Sequence, residues 1–251
     1  HLPMFVAGRR LGLFRQYYTT DTFQSHLLSW NLGTSSVSRR AYNKDTNHSN
    51  MSDVPTASNS SQPMAQYSIQ DICTVLSSKQ PTPGGGASAA ISAAIGAATA
   101  SMSAAYTQRK KDQETGAAAH ATQLVTLMDL KTLLELADAD VQAYQDLQST
   151  WSKDCTLTPE QVSNIQAQAL QVPITLVEAC HARILAIHAF LPHCNPNITS
   201  DAKVGIHQLA GSARAAYQTV LVNSPPTDVK QRLVQLLLEI QQVETEILQL
   251  E

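Results

Sequence analysis

Charge is sparse in this sequence. Asp, Glu, Lys and Arg make up 15% of its 251 residues, against about 25% in ordinary soluble domains. That shortage excludes a highly charged disordered chain. The formal net charge is -3, so no global excess of cations points to a nucleic-acid partner. The four cysteines, Cys73, Cys155, Cys180 and Cys194, form no Cys-x-x-Cys pair. In a chain this long they are too few for a disulfide framework and imply a reducing compartment. Aromatic residues reach only 5%, while alanine and leucine abound, which favours helices over a β-sandwich. What is present, 43% hydrophobic residues, suffices for one sizeable domain with a long arm.

The arm is the first 66 residues. Residues 1–44 carry Arg9, Arg10, Arg15, Arg39, Arg40 and Lys44 against one acid, Asp21, and residues 45–66 are rich in Ser, Thr, Asn and Pro. An arginine-rich, hydroxyl-rich, acid-poor start resembles a mitochondrial targeting segment. Retained, it would wrap a partner's surface. The expected organisation is an arm over 1–66 and a helical domain over 67–251, with the matrix as expected location.

Ser68 before Ile69-Gln70-Asp71 predicts an N-cap and a helix ending before Pro81. Pro81-Thr82-Pro83-Gly84-Gly85-Gly86 leads into residues 87–108, a run of Ala, Ser, Gly, Ile and Met with no charge before Arg109. Such a small-residue helix packs closely and lies centrally in a bundle. Its interspersed serines argue against a membrane span. One long helix is expected over 116–150, with Leu124, Leu127, Leu130, Leu134 and Leu136 on its apolar side. Thr158-Pro159-Glu160-Gln161 opens a further helix to about residue 191, with a kink or break at Pro173. After a turn at 193–199, Ser200-Asp201 opens the next helix. The last, 228–251, carries Leu233, Leu236, Ile240, Val243, Ile247 and Leu250 in a heptad seam.

The motifs allow modest chemistry. A triple glycine before a helix presents N–H groups to an anion, but no preceding strand or following Gly-Lys-Ser/Thr supports a dinucleotide or Walker loop. Asp138 and Asp140, two positions apart, point in different directions. Two solvated acids are the expected arrangement, with a buried general acid as the alternative. Cys180, His181, His188, His193 and Cys194 raise the thought of a metal, but His181 and His188 stand about 10 Å apart along a helix, so no metal site is expected. Arg109, Lys110 and Lys111 read as cations at the C-terminus of the small-residue helix, or equally as holders of a polyanionic substrate tail at the mouth of a cleft.

In their order along the chain, these motifs resemble the cyclodeaminase/methenyltetrahydrofolate cyclohydrolase family, which includes the C-terminal domain of formiminotransferase-cyclodeaminase. The resemblance runs from about residue 68 to 250. It is carried by Pro81–Gly86 with Ala89-Ala90, Gly96-Ala97-Ala98 and Ser101-Met102. Leu136-Ala137-Asp138-Ala139-Asp140 with Ala143-Tyr144, Val172-Pro173, Asn195-Pro196-Asn197 with Ser200-Asp201, and Ala216-Tyr217 with Val220 and Asn223 complete it. The resemblance implies an all-α, multi-helix bundle working as a homodimer on one-carbon groups carried by tetrahydrofolate, with no metal or redox cofactor required. It implies Asp140 and Asp201 as catalytic candidates for proton transfer or charge stabilisation. Gly84, Gly85, Gly86, Asn195, Asn223, Lys110 and Lys111 are the substrate-binding candidates.

Several positions depart from the family pattern. Ala87 stands where the family has Ser, Arg109 and Cys194 where it has Gly, Thr219 where it has Asn, and Trp151-Ser152-Lys153 near a missing Pro-Lys loop. The expected function is that of a divergent member, catalytically weak or inactive, serving as an accessory subunit of a larger mitochondrial assembly. The alternative is an active mitochondrial enzyme hydrolysing methenyltetrahydrofolate or cyclising formiminotetrahydrofolate. A non-catalytic folate-binding protein is a second alternative. Partners are a second copy or a hetero-oligomeric mitochondrial complex, with no nucleic acid.

Overall fold

The computed structural model describes residues 62–152 and 155–249, all within the unit Val54–Glu251. The targeting-like stretch to residue 61, Lys153 and the seam position Leu250 lie outside the described residues. Among the described residues every regular element is helical: α1 (Ile69–Ser77), α2 (Gly85–Ala105), α3 (Lys110–Glu114), α4 (Ala117–Met128), α5 (Leu130–Ser149), α6 (Pro159–Phe190), α7 (Thr199–Val222) and α8 (Thr227–Gln249). Short 3-10 turns occupy Met64–Gln66, Leu191–His193 and Pro196–Ile198. The expected all-α bundle is the observed fold.

Two starts follow from visible capping chemistry. The Ser68 hydroxyl accepts the Asp71 N–H at 3.1 Å, and the Ser68 N–H donates to Asp71 Oδ2 at 3.3 Å. Thr158 and Gln161 repeat this reciprocal box at 3.2 and 2.8 Å. Each satisfies N–H groups that the first turn leaves without intrahelical partners. α6 runs unbroken past Pro173.

Two boundaries depart from the sequence expectation. The long helix over 116–150 is divided at Asp129, whose φ of 25° leaves the helical region. Arg183 of α6 accounts for the division. Its guanidinium donates to Met128 O at 2.9 Å and Asp129 O at 3.2 Å, taking up carbonyls at the end of α4. The Asp129 carboxylate then accepts the Thr132 N–H at 3.3 Å and its hydroxyl, starting α5. Leu127 and Leu130 therefore turn outward, 57% and 38% exposed, while Met128 and Leu133 take the core positions. The second departure concerns Arg109–Lys111. α2 already ends at Ala105, so these cations begin α3 instead of closing α2. That end of a helix disfavours positive charge, and Asp112 compensates. It accepts the Arg109 backbone N–H at 2.9 Å and the guanidinium at 2.7 and 2.8 Å.

The core forms around α2, packed against α7, α5 and α4. Its alanines are so small that helix backbones meet. A Cβ on Gly205 of α7 would lie 2.8 Å from Gly96 O and 2.9 Å from Ala100 Cβ. Larger side chains, among them Ile184, Ile187, Ile206 and Leu209, fill the wider spaces. By length and composition α2 and the stretch Pro159–His193 would each suffice to cross a membrane. The fully buried Ala87, Ala90, Ala93, Ala97, Ala100 and Ala104 follow the pattern of a core helix.

α8 lies against α6 and α7. Leu233, Ile240, Val243 and Ile247 of the seam are buried and Leu236 is partly buried. Polar pairs flank the seam. His181 meets Glu239 at 2.8 Å, His188 meets Glu246 at 3.3 Å, Arg214 meets Glu244 at 2.6 Å, and Arg232 pairs with Glu178. The imidazoles of His181 and His188 thus face carboxylates of α8. Burial pushes the neighbouring Cys180 thiol up to about 12.

Arg183→Met should lower stability by about 2–4 kcal/mol, because buried carbonyls at the α4–α5 junction lose their donor. Urea midpoints measure this; a loss below about 0.5 kcal/mol, the level of an ordinary surface change, would show that the junction closes without Arg183.

Candidate functional site

The first turn of α2 begins at Gly84, which has no side chain to cap it. Another helix supplies the acceptor. Asp140 of α5 places Oδ2 2.8 Å from the Ala87 N–H. Its other oxygen lies over Gly86, where a Cβ would stand 2.0 Å from Oδ1 and 2.5 Å from Cγ. Gly86 is therefore a notch that the carboxylate occupies. Gly84 and Gly85 face open space, with nothing within 4 Å of a Cβ. Burial raises the Asp140 pKa above the usual aspartate value, and the Ala87 N–H opposes part of that rise. The result is a partly buried acid with strengthened proton affinity, held at a helix N-terminus.

Two solvated acids were the sequence expectation, and both are instead engaged. Asp138 accepts the Met64 N–H at 2.7 Å and ties the Met64–Gln66 turn to α5. Leucine periodicity displays neither contact, since both partners lie more than 50 residues away in sequence. Beyond Gly85, an open groove of about 330 Å³ runs between α2 and α7, lined in part by Ser88, Ser92, His207, Gln208 and Ser212. Sequence reasoning assigned these five no role. The recurrence of Ser88 and Ser92 on an otherwise alanine-rich helix was the available signal. Asp140 does not line this groove; it lies on the α5 side of α2.

The remaining candidates divide between the two ends of the α2–α7 pair. These helices run antiparallel, with Gly96 opposite Gly205. Asn223 ends α7 and donates to Ala169 O at 3.2 Å and Thr219 O at 3.0 Å. Asn195, Asp201, Lys110 and Lys111 gather near the other end, where α2 finishes. Asn195 is buried, donates to Tyr106 O at 3.1 Å and accepts the Asn197 N–H at 3.1 Å. Asp201 sits in the first turn of α7, with the Ser200 hydroxyl 3.3 Å from Oδ2. Lys110 and Lys111 open α3. The His193 ring stacks on His120, centroids 3.7 Å apart. From Gly86 to Tyr106 the helix rise spans about 30 Å, so one chain does not bring Asp140 and Asp201 together.

These features define an all-α bundle with a partly buried acid seated at a glycine-rich helix start. The family described as formiminotransferase-cyclodeaminase matches residues 68–242. A methenyltetrahydrofolate cyclohydrolase from Methylorubrum extorquens is 27% identical over 177 residues, covering 64% of this chain and 80% of the relative. The crystal structure of formiminotetrahydrofolate cyclodeaminase from Thermotoga maritima superposes with a TM-score of 0.62 at 21% identity, covering 72% of this chain and 92% of the other. The chain belongs to the formiminotransferase-cyclodeaminase family.

Two predictions concern these contacts. Gly86→Ala should cost about 1–3 kcal/mol by overpacking against Asp140. In an Asp140→Ala background the same change should be neutral or stabilising, since alanine is the better helix former by about 1 kcal/mol. Equal costs in both backgrounds, read from urea midpoints, would place the carboxylate elsewhere. The second concerns pH. Arg109 holds the buried Asp112 carboxyl below its usual range. Its folded value lies below its unfolded one, so its stabilisation is present above the unfolded value and is lost as pH falls through the folded one. In Asp112→Asn that part of the acid-side slope should vanish below about pH 5; an unchanged slope would remove Asp112 from the acid transition.

Proposed function

We propose that the chain acts on a one-carbon group carried by tetrahydrofolate, hydrolysing the 5,10-methenyl bridge at Asp140. The observation that carries this reading is the Asp140 carboxyl, partly buried, raised in proton affinity and aimed at the first turn of α2. The Methylorubrum extorquens relative, named a methenyltetrahydrofolate cyclohydrolase, supports hydrolysis over ring closure.

The chemistry asks little of a protein. Water adds to the cationic methenyl carbon and loses one proton; as a C–N bond breaks, the hydroxyl so formed loses the second proton to become the formyl C=O, and the leaving nitrogen takes up one proton. The products are formyltetrahydrofolate and one released proton. An ionised Asp140 stabilises the cationic carbon and accepts the water proton. In its protonated form it serves the leaving nitrogen, and burial favours that form more than in a free aspartate. The α2 N–H groups without intrahelical partners supply donors for the oxygen that develops charge.

A second copy completes the reading. The exposed side of α2, including Ser92, Ile95, Met102 and Tyr106, carries no charge. A copy laid antiparallel on this face would bring the Lys110–Lys111 end of one chain towards the Asp140 end of the other. The arginine-rich, acid-poor composition of the N-terminal stretch supports a location in the mitochondrial matrix.

Two observations favour the accessory-subunit reading. The Asn195 and Asn223 amides are committed to backbone groups, and Arg109 folds onto Asp112. In that reading the fold is retained within a larger assembly while turnover is lost. A single assay separates the two. The purified full chain should hydrolyse 5,10-methenyltetrahydrofolate faster than buffer alone, and Asp140→Asn should lower kcat at least about 100-fold. No rate above buffer favours the accessory role, and full activity in Asp140→Asn removes Asp140 from the chemistry.

A further inference from the structure

Asp140, Tyr144 and Trp151 share one face of α5 and its continuation. Tyr144 follows Asp140 by one turn, and Trp151 follows Tyr144 by two. Trp151 stands just beyond α5, but its N–H still donates to Gln148 O at 3.1 Å, which keeps it on the helical path. The two rings meet edge to face, with centroids 6.1 Å apart and planes at 85°. Core aromatic pairs are buried, whereas Trp151 is 61% exposed and Tyr144 37% exposed. Gln145 approaches Thr82 at 3.5 Å, so the turn leading to Gly86 runs alongside this stretch.

An edge-to-face pair leaves a ring face available to a third flat group. In tetrahydrofolate the p-aminobenzoyl ring is bonded directly to N10, one of the two nitrogens that hold the one-carbon bridge. With the bridge at Asp140, that ring falls towards the next turn of α5. The ring is flat and neutral, with no hydrogen-bonding edge of its own, which suits two aromatic surfaces better than the polar pterin does. Resting on the folate reading above, we propose that Tyr144 and Trp151 form an aromatic wall. It packs against the p-aminobenzoyl ring and sets the reacting carbon at Asp140. The wall binds ground state and transition state alike, so its loss acts on KM more than on kcat.

The test uses the two tryptophans of the sequence, Trp30 and Trp151. In the full chain carrying Trp30→Phe, Trp151 is the sole indole. Titration with 5-formyltetrahydrofolate should quench its emission saturably, with the Kd found by calorimetry. Adding Tyr144→Ala should weaken Kd about tenfold, equivalent to about 1.4 kcal/mol, and Tyr144→Phe should restore it. With 5,10-methenyltetrahydrofolate as substrate, Tyr144→Ala should raise KM more than it lowers kcat. Calorimetric binding with unchanged Trp151 emission and an unaffected Tyr144→Ala variant overturns the wall and leaves the folate reading standing. No calorimetric binding to the unaltered chain overturns the folate reading, and the wall with it.

Discussion

The close approach of α2 to its neighbours is the constraint on which the rest of the structure depends. With alanine and glycine along its buried sides, α2 lets α7 touch it backbone to backbone at Gly96 and Gly205. The same smallness lets Asp140 of α5 reach the Ala87 N–H. A larger residue at any of these points would push a helix outward by more than the packed core absorbs. The position of the acid is therefore a consequence of how the core is packed. Charge has little part in that core. The ion pairs named among the described residues lie outside it, where α8 meets α6 and α7, where α3 begins and on the exposed side of α5.

How much of this was legible depended on the reach of each interaction. Ser68 and Thr158 displayed their caps because each partner lies three residues ahead. The central place of α2 could be read from its lack of charge, and the seam of α8 from its spacing. The division at Asp129 could not be read. Its local signal, an Asp three residues before Thr132, was hidden in a leucine pattern that continues in phase. Its other cause, Arg183, lies 54 residues from Asp129. Arg109 misled for a similar reason. Cations after an alanine helix suggest a C-terminal cap, whereas the carboxylate of Asp112 makes them a helix start.

The candidate residues were legible as a set through their resemblance to a family. Their distribution was not, because it follows from antiparallel packing. Two helices of more than 20 residues keep their ends about 30 Å apart, so residues adjacent in a motif list separate in the fold. Asn195 and Asn223 show what that separation means. Each amide is bonded to backbone at its own end of the α2–α7 pair. These contacts make them fixed points of the scaffold, whatever else they meet across a second copy. Asp140 differs, because one of its oxygens is bonded to Ala87 and the other fills the notch at Gly86.

That asymmetry bears on the proton. Oδ2 accepts the Ala87 N–H, and a protonated oxygen is a poorer acceptor, so protonation is directed to Oδ1. There the acid form retains the cap of α2 through Oδ2. A cap is worth about 0.5–2 kcal/mol, and a proton that destroyed it would couple each exchange to fraying of the helix. With the two oxygens divided between two tasks, burial can raise the pKa while the α2 N-terminus stays closed. Gly86 makes the division possible, because only a residue without a side chain leaves Oδ1 its place.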